Sequence, residues 1–137
     1  MNFRFRPHEK LKDPISISYV FENGNKFHYY PILFLSTPLP PAPSQVLANL
    51  PQGTLSPVRI AFSVPKRRIR KAVHRNRIKR MMREAYRLQK HRIAPSIEHA
   101  NPSSLGVIAI YIGKENPEYS IIFKAMNCFI DTLEAHP

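Results

Sequence analysis

The residues best suited to chemistry in this sequence are cations, and they are crowded into one stretch. Residues 74–87, HRNRIKRMMREAYR, contain five arginines and one lysine but a single acid, Glu84. Arginine and lysine bind phosphate oxygens, and the arginine fork does so through two parallel hydrogen bonds. The stretch therefore predicts that the protein binds a polyanion.

Catalysis by the chain alone would need an acid–base pair or a carboxylate metal site. The nine acids are dispersed, and the six histidines show no ligand spacing. The only cysteine, Cys128, allows no disulfide within the chain and fits a reducing cytoplasm. We expect it to be a buried apolar residue. We predict no catalytic residue and no metal ligand, and a stand-alone nuclease is the least favoured alternative.

The positive charge is local. Residues 66–92 hold 13 of the 21 Lys and Arg and one of the nine acids, so this segment accounts for the whole net charge of +12. A solvated face would mix both signs, and a membrane-surface helix would need a broader apolar face. Nucleic acid is the favoured partner. The N-terminus lacks the apolar core of a signal peptide, and YYPILFL is too short to span a bilayer, which favours a cytoplasmic protein.

A helix over this segment would have two different faces. At about 100° per residue, Met81, Met82, Ala85 and Leu88 lie close to Ile78 and form a core face. The opposite side is strongly cationic. It carries Asn76, Lys79, Arg80, Arg83, Arg87 and Lys90, with Arg75 and Arg77 on the flanks.

The rest of the chain predicts a single domain, residues 1–137, with a small sheet and about three helices. Residues 1–13 are expected to form a basic extended arm, and the proline-rich residues 37–57 a loop. Asp13, Pro14 and Gly24 bound a first helix, and Asn116 and Pro117 begin the last one. The expected strands are residues 27–36, with Pro31 at an edge, 58–64 and 105–112. In the last helix, Ile122, Ala125, Met126, Phe129, Ile130 and Leu133 form an apolar stripe.

Residues 62–87, FSVPKRRIRKAVHRNRIKRMMREAYR, resemble the signature region of the protein subunit of bacterial ribonuclease P. In that family, a strand ends in a Ser-Val-x-Lys-Lys-like turn and an Arg-Asn-Arg motif opens a helix. Here the motif is Arg75-Asn76-Arg77, followed by residues 78–84, IKRMMRE. Two features depart from the family: Ile17 stands where an aromatic is common, and residues 37–57 are longer than expected.

The resemblance implies an α+β fold, a compact two-layer α/β sandwich like a ribosomal protein, with a left-handed crossover between parallel strands. It also implies a role as a non-catalytic subunit. The partner RNA removes the 5′ leader of precursor tRNA with Mg²⁺ held by RNA phosphates. The implied RNA-binding residues are Lys66, Arg67, Arg68, Arg75, Asn76, Arg77, Lys79, Arg80, Arg83 and Arg87.

The resemblance further implies a cleft between the first helix and one sheet face that holds the single-stranded leader. Its candidate residues are Ile17, Phe21 and Phe34, and Tyr29 and Tyr30 are similar candidates. An exposed aromatic would stack on bases without regard to sequence. Ordinary helix-to-sheet packing is the other reading of Phe21. Asn76 either fixes the start of the helix or bonds RNA.

A different class of function remains open at this point. A ribosomal or chaperone-like RNA-binding protein with no part in tRNA processing would have the same composition and charge. Only the context of the Arg-Asn-Arg motif favours the ribonuclease P subunit.

Overall fold

The computed structural model describes residues 10–39, 58–92 and 105–135. Within these residues, three α-helices and four strands follow one another in the order helix, strand, strand, strand, helix, strand, helix. They are α1 (Pro14–Asn23), β1 (Asn25–Tyr29), β2 (Ile32–Pro38), β3 (Val58–Ser63), α2 (Ala72–Gln89), β4 (Leu105–Tyr111) and α3 (Tyr119–Ala135), and a 3-10 turn (Lys90–Arg92) extends α2.

The four strands form one mixed sheet in the order β1-β2-β4-β3. β2 pairs antiparallel with β1 and with β4, whereas β3 lies parallel to β4. The predicted α+β fold is confirmed. Because β3 and β4 are parallel neighbours, the chain between them must return from one end of the sheet to the other, and α2 lies in this crossover. Its left hand stays a prediction.

The main core lies between α2, α3 and one face of the sheet. Strand alternation places Ile60, Phe34 and Val107 on this face, where they meet the apolar stripes of the two helices. All six predicted stripe residues of α3 are buried. On the opposite face, Val20 of α1 forms a smaller cluster with Leu11, Leu35, Leu39 and Ile108.

α1 begins and ends where its sequence signals predict. Asp13 is the N-cap, Pro14 occupies the first helical position, and Gly24 follows the last residue. The helix packs tightly because Gly106 of β4 has no side chain. A Cβ atom there would lie 2.8 Å from Val20 Cγ2. Contact between α1 and the sheet therefore depends on this glycine.

The Asp13 cap gives a pH-dependent prediction. Asp13 Oδ2 accepts hydrogen bonds from the Ser16 amide at 3.0 Å and the Ser16 hydroxyl at 2.9 Å. These bonds lower the pKa of Asp13 below its ordinary value of 3.8. A depressed folded-state pKa adds stability above the unfolded value, and this stability is lost as pH falls through the folded value.

We therefore expect Asp13→Ala to lower the melting temperature at neutral pH, and its effect to shrink below pH 3.8. Thermal melts across this range check it. Ser18→Ala changes an exposed residue of the same helix and serves as the control. A difference between wild type and Asp13→Ala that does not change with pH would contradict the assignment.

The structure corrects several predicted elements. The single strand over residues 27–36 is wrong: β1 and β2 form a hairpin, and Pro31 lies in its turn rather than at a strand edge. β2 continues to Pro38, and Leu39 is buried, so the predicted loop does not begin at Thr37. Residues 40–57, like 93–104, lie outside the described residues.

Two more corrections concern the ends of the chain. Residues 1–9 of the predicted arm lie outside the described residues, but Lys10 and Leu11 are not a free arm. Lys10 forms a parallel bridge with Ile60, the Leu11 amide donates to the Ile60 carbonyl at 3.0 Å, and the Leu11 side chain is buried. α3 begins at Tyr119, three residues after the predicted cap Asn116.

Candidate nucleic-acid interface

The core face of α2 is slightly rotated from the one predicted. Ile78, Met82 and Ala85 are fully buried, as expected. Tyr86 is also buried, because its ring packs edge-on against Phe62 of β3, whereas Leu88 is 37% exposed. The rotation moves the apolar stripe by a fraction of a turn and leaves the cationic side of the helix outward.

Most of the predicted RNA-binding residues reach the surface. Those that are exposed are Lys66, Arg67, Asn76, Arg77, Arg80 and Arg83, and those that are half-buried are Arg68, Arg75, Lys79 and Arg87. We call Lys66, Arg67, Arg68, Asn76, Arg77, Lys79, Arg80 and Arg83 the basic surface. Its charges come from one outward helix face and the turn before it.

Two of the predicted arginines have partners within the protein. Arg87 forms a two-pronged ion pair with Glu84, with Nη2–Oε1 at 2.5 Å and Nε–Oε2 at 3.0 Å. This pairing lowers the pKa of Glu84 and raises that of Arg87. Arg75 instead donates to the main chain, from Nη1 to the Ile69 carbonyl at 3.0 Å and the Arg70 carbonyl at 2.6 Å.

The helix-capping role of Asn76 is wrong. α2 begins at Ala72, and its N-cap is Lys71, which makes no side-chain cap bond. Asn76 lies in the second turn and is exposed. The Arg-Asn-Arg motif therefore does not open the helix but follows its first turn. The outward position leaves RNA contact as the prediction for Asn76.

The turn after β3 and the turn after β4 bring three cations together. Arg67 and Arg68 of the first and Lys114 of the second line an open hollow of about 400 Å³. Ser63 and Ile110 are paired in the parallel ladder, and Arg67 and Lys114 each follow four residues later. Parallel neighbours end at the same edge of a sheet. Sequence reasoning missed Lys114, and only the pairing of β3 with β4 could have indicated it.

The turn that carries Lys114 has a defined shape. The Tyr111 hydroxyl donates to the Glu115 carbonyl at 2.5 Å, and burial raises the pKa of this hydroxyl. The Tyr111 ring lies over Gly113, where a Cβ atom would sit 2.4 Å from the hydroxyl oxygen. Asn116 Nδ2 and His74 Nδ1 are 3.0 Å apart, which joins this turn to the first turn of α2.

The sheet face beneath α1 is only partly covered. Val20 packs over Gly106 at one end of β4. Toward the other end, the paired residues Leu33, Ile110 and Ser63 are half-exposed. We call this open part of the face, together with α1, the α1 cleft. It leads to the basic surface because Ser63 is three residues before Lys66.

Two of the three predicted cleft residues lie on α1. Ile17 and Phe21 are four residues apart and so share one flank of the helix. Ile17 packs against the same cluster as Ile110, and Phe21 is 54% exposed. Phe21 is therefore not an ordinary packing residue. Tyr30, a similar candidate, is 73% exposed in the β1–β2 turn.

Phe34 does not belong to the cleft, and its prediction as a cleft residue is wrong. Its exposure is 0%, and its ring stacks on Phe129 of α3 with a centroid separation of 4.1 Å. Strand alternation directs it into the main core, on the face opposite α1. Tyr29 shares this face and is hydrogen-bonded to Thr132.

A scan against protein families decides the class. The family described as Ribonuclease P matches residues 5–133, nearly the whole chain. The chain belongs to the ribonuclease P protein family. A member of this family is the protein component of a ribonucleoprotein endoribonuclease that processes tRNA, and it works with the ribonuclease P RNA. The ribosomal or chaperone-like alternative is not favoured.

Individual ribonuclease P proteins are also similar to this chain. The ribonuclease P protein component of Chlorobium phaeobacteroides is 30% identical over 125 residues, which cover 85% of this chain and 79% of that protein. The RNase P protein of Staphylococcus aureus superposes with a TM-score of 0.65 at 15% identity, covering 94% of this chain and 98% of that one. The RNase P protein of Thermotoga maritima superposes with a TM-score of 0.62 at 18% identity, and the matched shares of the two chains are the same. Both superpositions support the fold.

Arg92, the last cation of residues 66–92, forms its bonds within the protein itself. Arg92 donates to Asn127 at 2.5 Å and to Glu134 at 2.9 Å, and it also bonds Asp131 and Gln89. These bonds join the end of α2 to α3. Because two acids of α3 balance its charge, Arg92 adds little to the positive field that an RNA would meet.

We expect Arg92→Ala to lower the free energy of unfolding by about 1–2 kcal/mol, because several charge-assisted bonds at a partly exposed site are lost together. RNA affinity of the folded protein should stay close to wild type. Chemical denaturation and an RNA-binding titration check the two statements. A large loss of affinity with unchanged stability would place Arg92 on the RNA instead.

The residues that the structure describes contain neither a metal-binding cluster nor a membrane-spanning helix. Among those that the structure describes, no three His, Cys, Asp or Glu side chains approach closely enough to hold a metal ion. Cys128 is half-buried rather than fully buried. None of the helices in residues 10–39, 58–92 and 105–135 has the length and apolarity that a membrane span requires.

Proposed function

We propose that this protein binds ribonuclease P RNA through the basic surface and the 5′ leader of precursor tRNA through the α1 cleft. In doing so it assists endonucleolytic removal of the leader. Binding of ribonuclease P RNA is supported by the outward placement of Arg77, Arg80 and Arg83 on a helix whose opposite face is fully buried. A rigid row of cations neutralises phosphates and reduces repulsion between two RNA polyanions.

The leader site rests on Phe21 and on the continuity of the cleft with the cationic hollow. A single-stranded segment lying across Leu33 and Ile110 would have bases beside Phe21 and phosphates near Arg68 and Lys114. Stacking on an aromatic ring is tolerant of base identity. Such a site suits a protein that must accept many different leader sequences.

We assign Mg²⁺ to the RNA partner, whose phosphates would hold the ions that activate the attacking water. The role of the protein side chains is to bind and orient the two RNAs. The basic surface consists of cations and one amide, and its positive charge favours phosphate oxygens over a divalent metal ion. We also propose that the protein acts in the cytoplasm, consistent with its single cysteine.

Reconstitution tests the proposed function. The purified chain is mixed with a ribonuclease P RNA and a precursor tRNA at low Mg²⁺, and formation of the mature 5′ end is followed on a gel. We expect cleavage to be much faster with the protein than with RNA alone. An unchanged rate would refute the assisting role, and cleavage by the protein without RNA would revive the stand-alone nuclease.

The leader contact makes a separate prediction. Phe21→Ala should weaken binding of precursor tRNA to the assembled enzyme by about 5–150-fold, since stacking contributes about 1–3 kcal/mol per base. Binding of mature tRNA should not change. Ile15→Ala, which removes a side chain that is 79% exposed on the same helix, is the matched control. Equal losses for both tRNAs would exclude a leader contact at Phe21.

A further inference from the structure

Arg75, the first arginine of the Arg-Asn-Arg motif, differs from the other cations of this segment in what it contacts. Its Nη1 donates to the carbonyl oxygens of Ile69 and Arg70, at 3.0 and 2.6 Å. Both acceptors belong to the turn between β3 and α2. The side chain is half-buried and is directed back at its own chain, whereas Arg77 and Arg80 are exposed.

The turn has few other bonds that could hold its shape. The Arg68 and Ile69 amides both donate to the Pro65 carbonyl, at 3.0 and 3.2 Å. The Ile69 side chain is buried. The N-cap position of α2, Lys71, provides no side-chain bond to close the junction. Arg75 therefore supplies the side-chain hydrogen bonds that join the second half of the turn to the helix.

We propose that Arg75 is a positioning residue, which holds this turn so that Arg67 and Arg68 face Lys114 across the cationic hollow, and that it is not a phosphate ligand. The neighbouring bond between His74 and Asn116 fixes the other side of the hollow. Successive residues at the start of α2 thus hold the two turns that carry the hollow's cations. The proposal rests on the proposed function for its RNA readout.

The length of the arginine side chain distinguishes the two roles. A lysine at position 75 keeps the charge, but its nitrogen ends one bond short of the position of Arg75 Nη1, the atom that donates to both carbonyls. A phosphate contact also uses the arginine fork, but a large part of its contribution to RNA affinity comes from the positive charge, which a lysine retains. Arg77 is the matched control because it lies two residues away, in the same motif, and is exposed.

The test compares Arg75→Lys, Arg75→Ala and Arg77→Lys, using affinity for ribonuclease P RNA at several salt concentrations. We expect Arg75→Lys to lose about tenfold in affinity, nearly as much as Arg75→Ala, because both remove the bonds to the carbonyls. The slope of log affinity against log salt should stay close to wild type in both, because Arg67 and Arg68 still contact the RNA once binding has ordered the turn. Arg77→Lys should lose about threefold or less, because its charge is retained.

Hydrogen exchange of the free protein provides a readout that needs no RNA. The Arg68 and Ile69 amides should exchange faster in Arg75→Lys than in wild type, and at the wild-type rate in Arg77→Lys. If Arg75→Ala does not fold, the two lysine variants carry the comparison. If wild-type protein fails to bind the RNA, the proposed function is refuted. The hydrogen-exchange measurement still decides the role of Arg75 in that case, because it is made on the free protein.

Three results would overturn the proposal. One is unchanged exchange at Arg68 and Ile69 in Arg75→Lys. Another is wild-type RNA affinity in Arg75→Lys, which would show that charge alone is needed. The third is a fall in the salt slope of Arg75→Ala by about 0.7–0.9, the change expected when one phosphate contact is removed.

Discussion

Replacing Arg77 and Arg80 together by alanine should weaken assembly with ribonuclease P RNA by on the order of 100-fold, because two charge-assisted contacts are lost. The two side chains are exposed on the outward face of α2, whereas Ile78 and Met82 are buried and carry its packing. The melting temperature should therefore change little. The salt slope of binding should fall by about 1.4–1.8, the amount expected for two phosphates.

Titrations at several salt concentrations, together with a thermal melt of each variant, check this expectation. Arg92→Ala is the control. It also removes positive charge from residues 66–92, but from a site where Asp131 and Glu134 already neutralise that charge. A melt lowered by many degrees in the double variant would show that Arg77 and Arg80 are structural. A salt slope equal to that of wild type would show that they do not meet phosphates.

Phe34→Ala should destabilise the fold by about 3–5 kcal/mol, the usual cost of truncating a fully buried aromatic. Phe34 has no exposed surface, stacks on Phe129 and lies near the ring of Tyr29. Domains of this size are stable by about 5–15 kcal/mol. The variant should therefore lose a large part of its stability, as measured by chemical denaturation in the absence of RNA.

Phe21→Ala provides the matched comparison, because the same side chain is removed from a surface position that is 54% exposed. Its effect on the free energy of unfolding should be well under half that of Phe34→Ala. Comparable losses in the two variants would mean that Phe21 packs on the sheet after all. A small loss in Phe34→Ala would contradict its position in the core.

The sequence predicted the elements that have strong local signals. α1 follows from the Asp13 cap and from Pro14, and the stripe of α3 follows from a 3.6-residue period that all its members obey. The helical spacing of about 100° per residue placed the cationic side of α2 opposite its core face. These features depend on residues that are close to one another in the sequence, so the local sequence pattern is sufficient to predict them.

The features that were missed depend on contacts between distant segments. A run of aromatic and β-branched residues predicts one strand whether or not the chain folds back at Tyr30. Alternation alone does not show which face of this strand, and so which residues beside Phe34, packs against α3. Lys114 becomes visible only when β4 is known to lie beside β3. Arg75 reads as one more cation, because its carbonyl partners are set by the shape of a turn.

The pairing of Lys10 and Leu11 with Ile60 has a consequence for how the protein behaves before it meets its RNA. β3 is the outermost strand on its side of the sheet, and an uncovered outer strand offers free amide and carbonyl groups to other chains. The short segment before α1 occupies part of this strand and reduces the opportunity for self-association into extended sheets. A few residues ahead of the first helix thus favour solubility as well as folding.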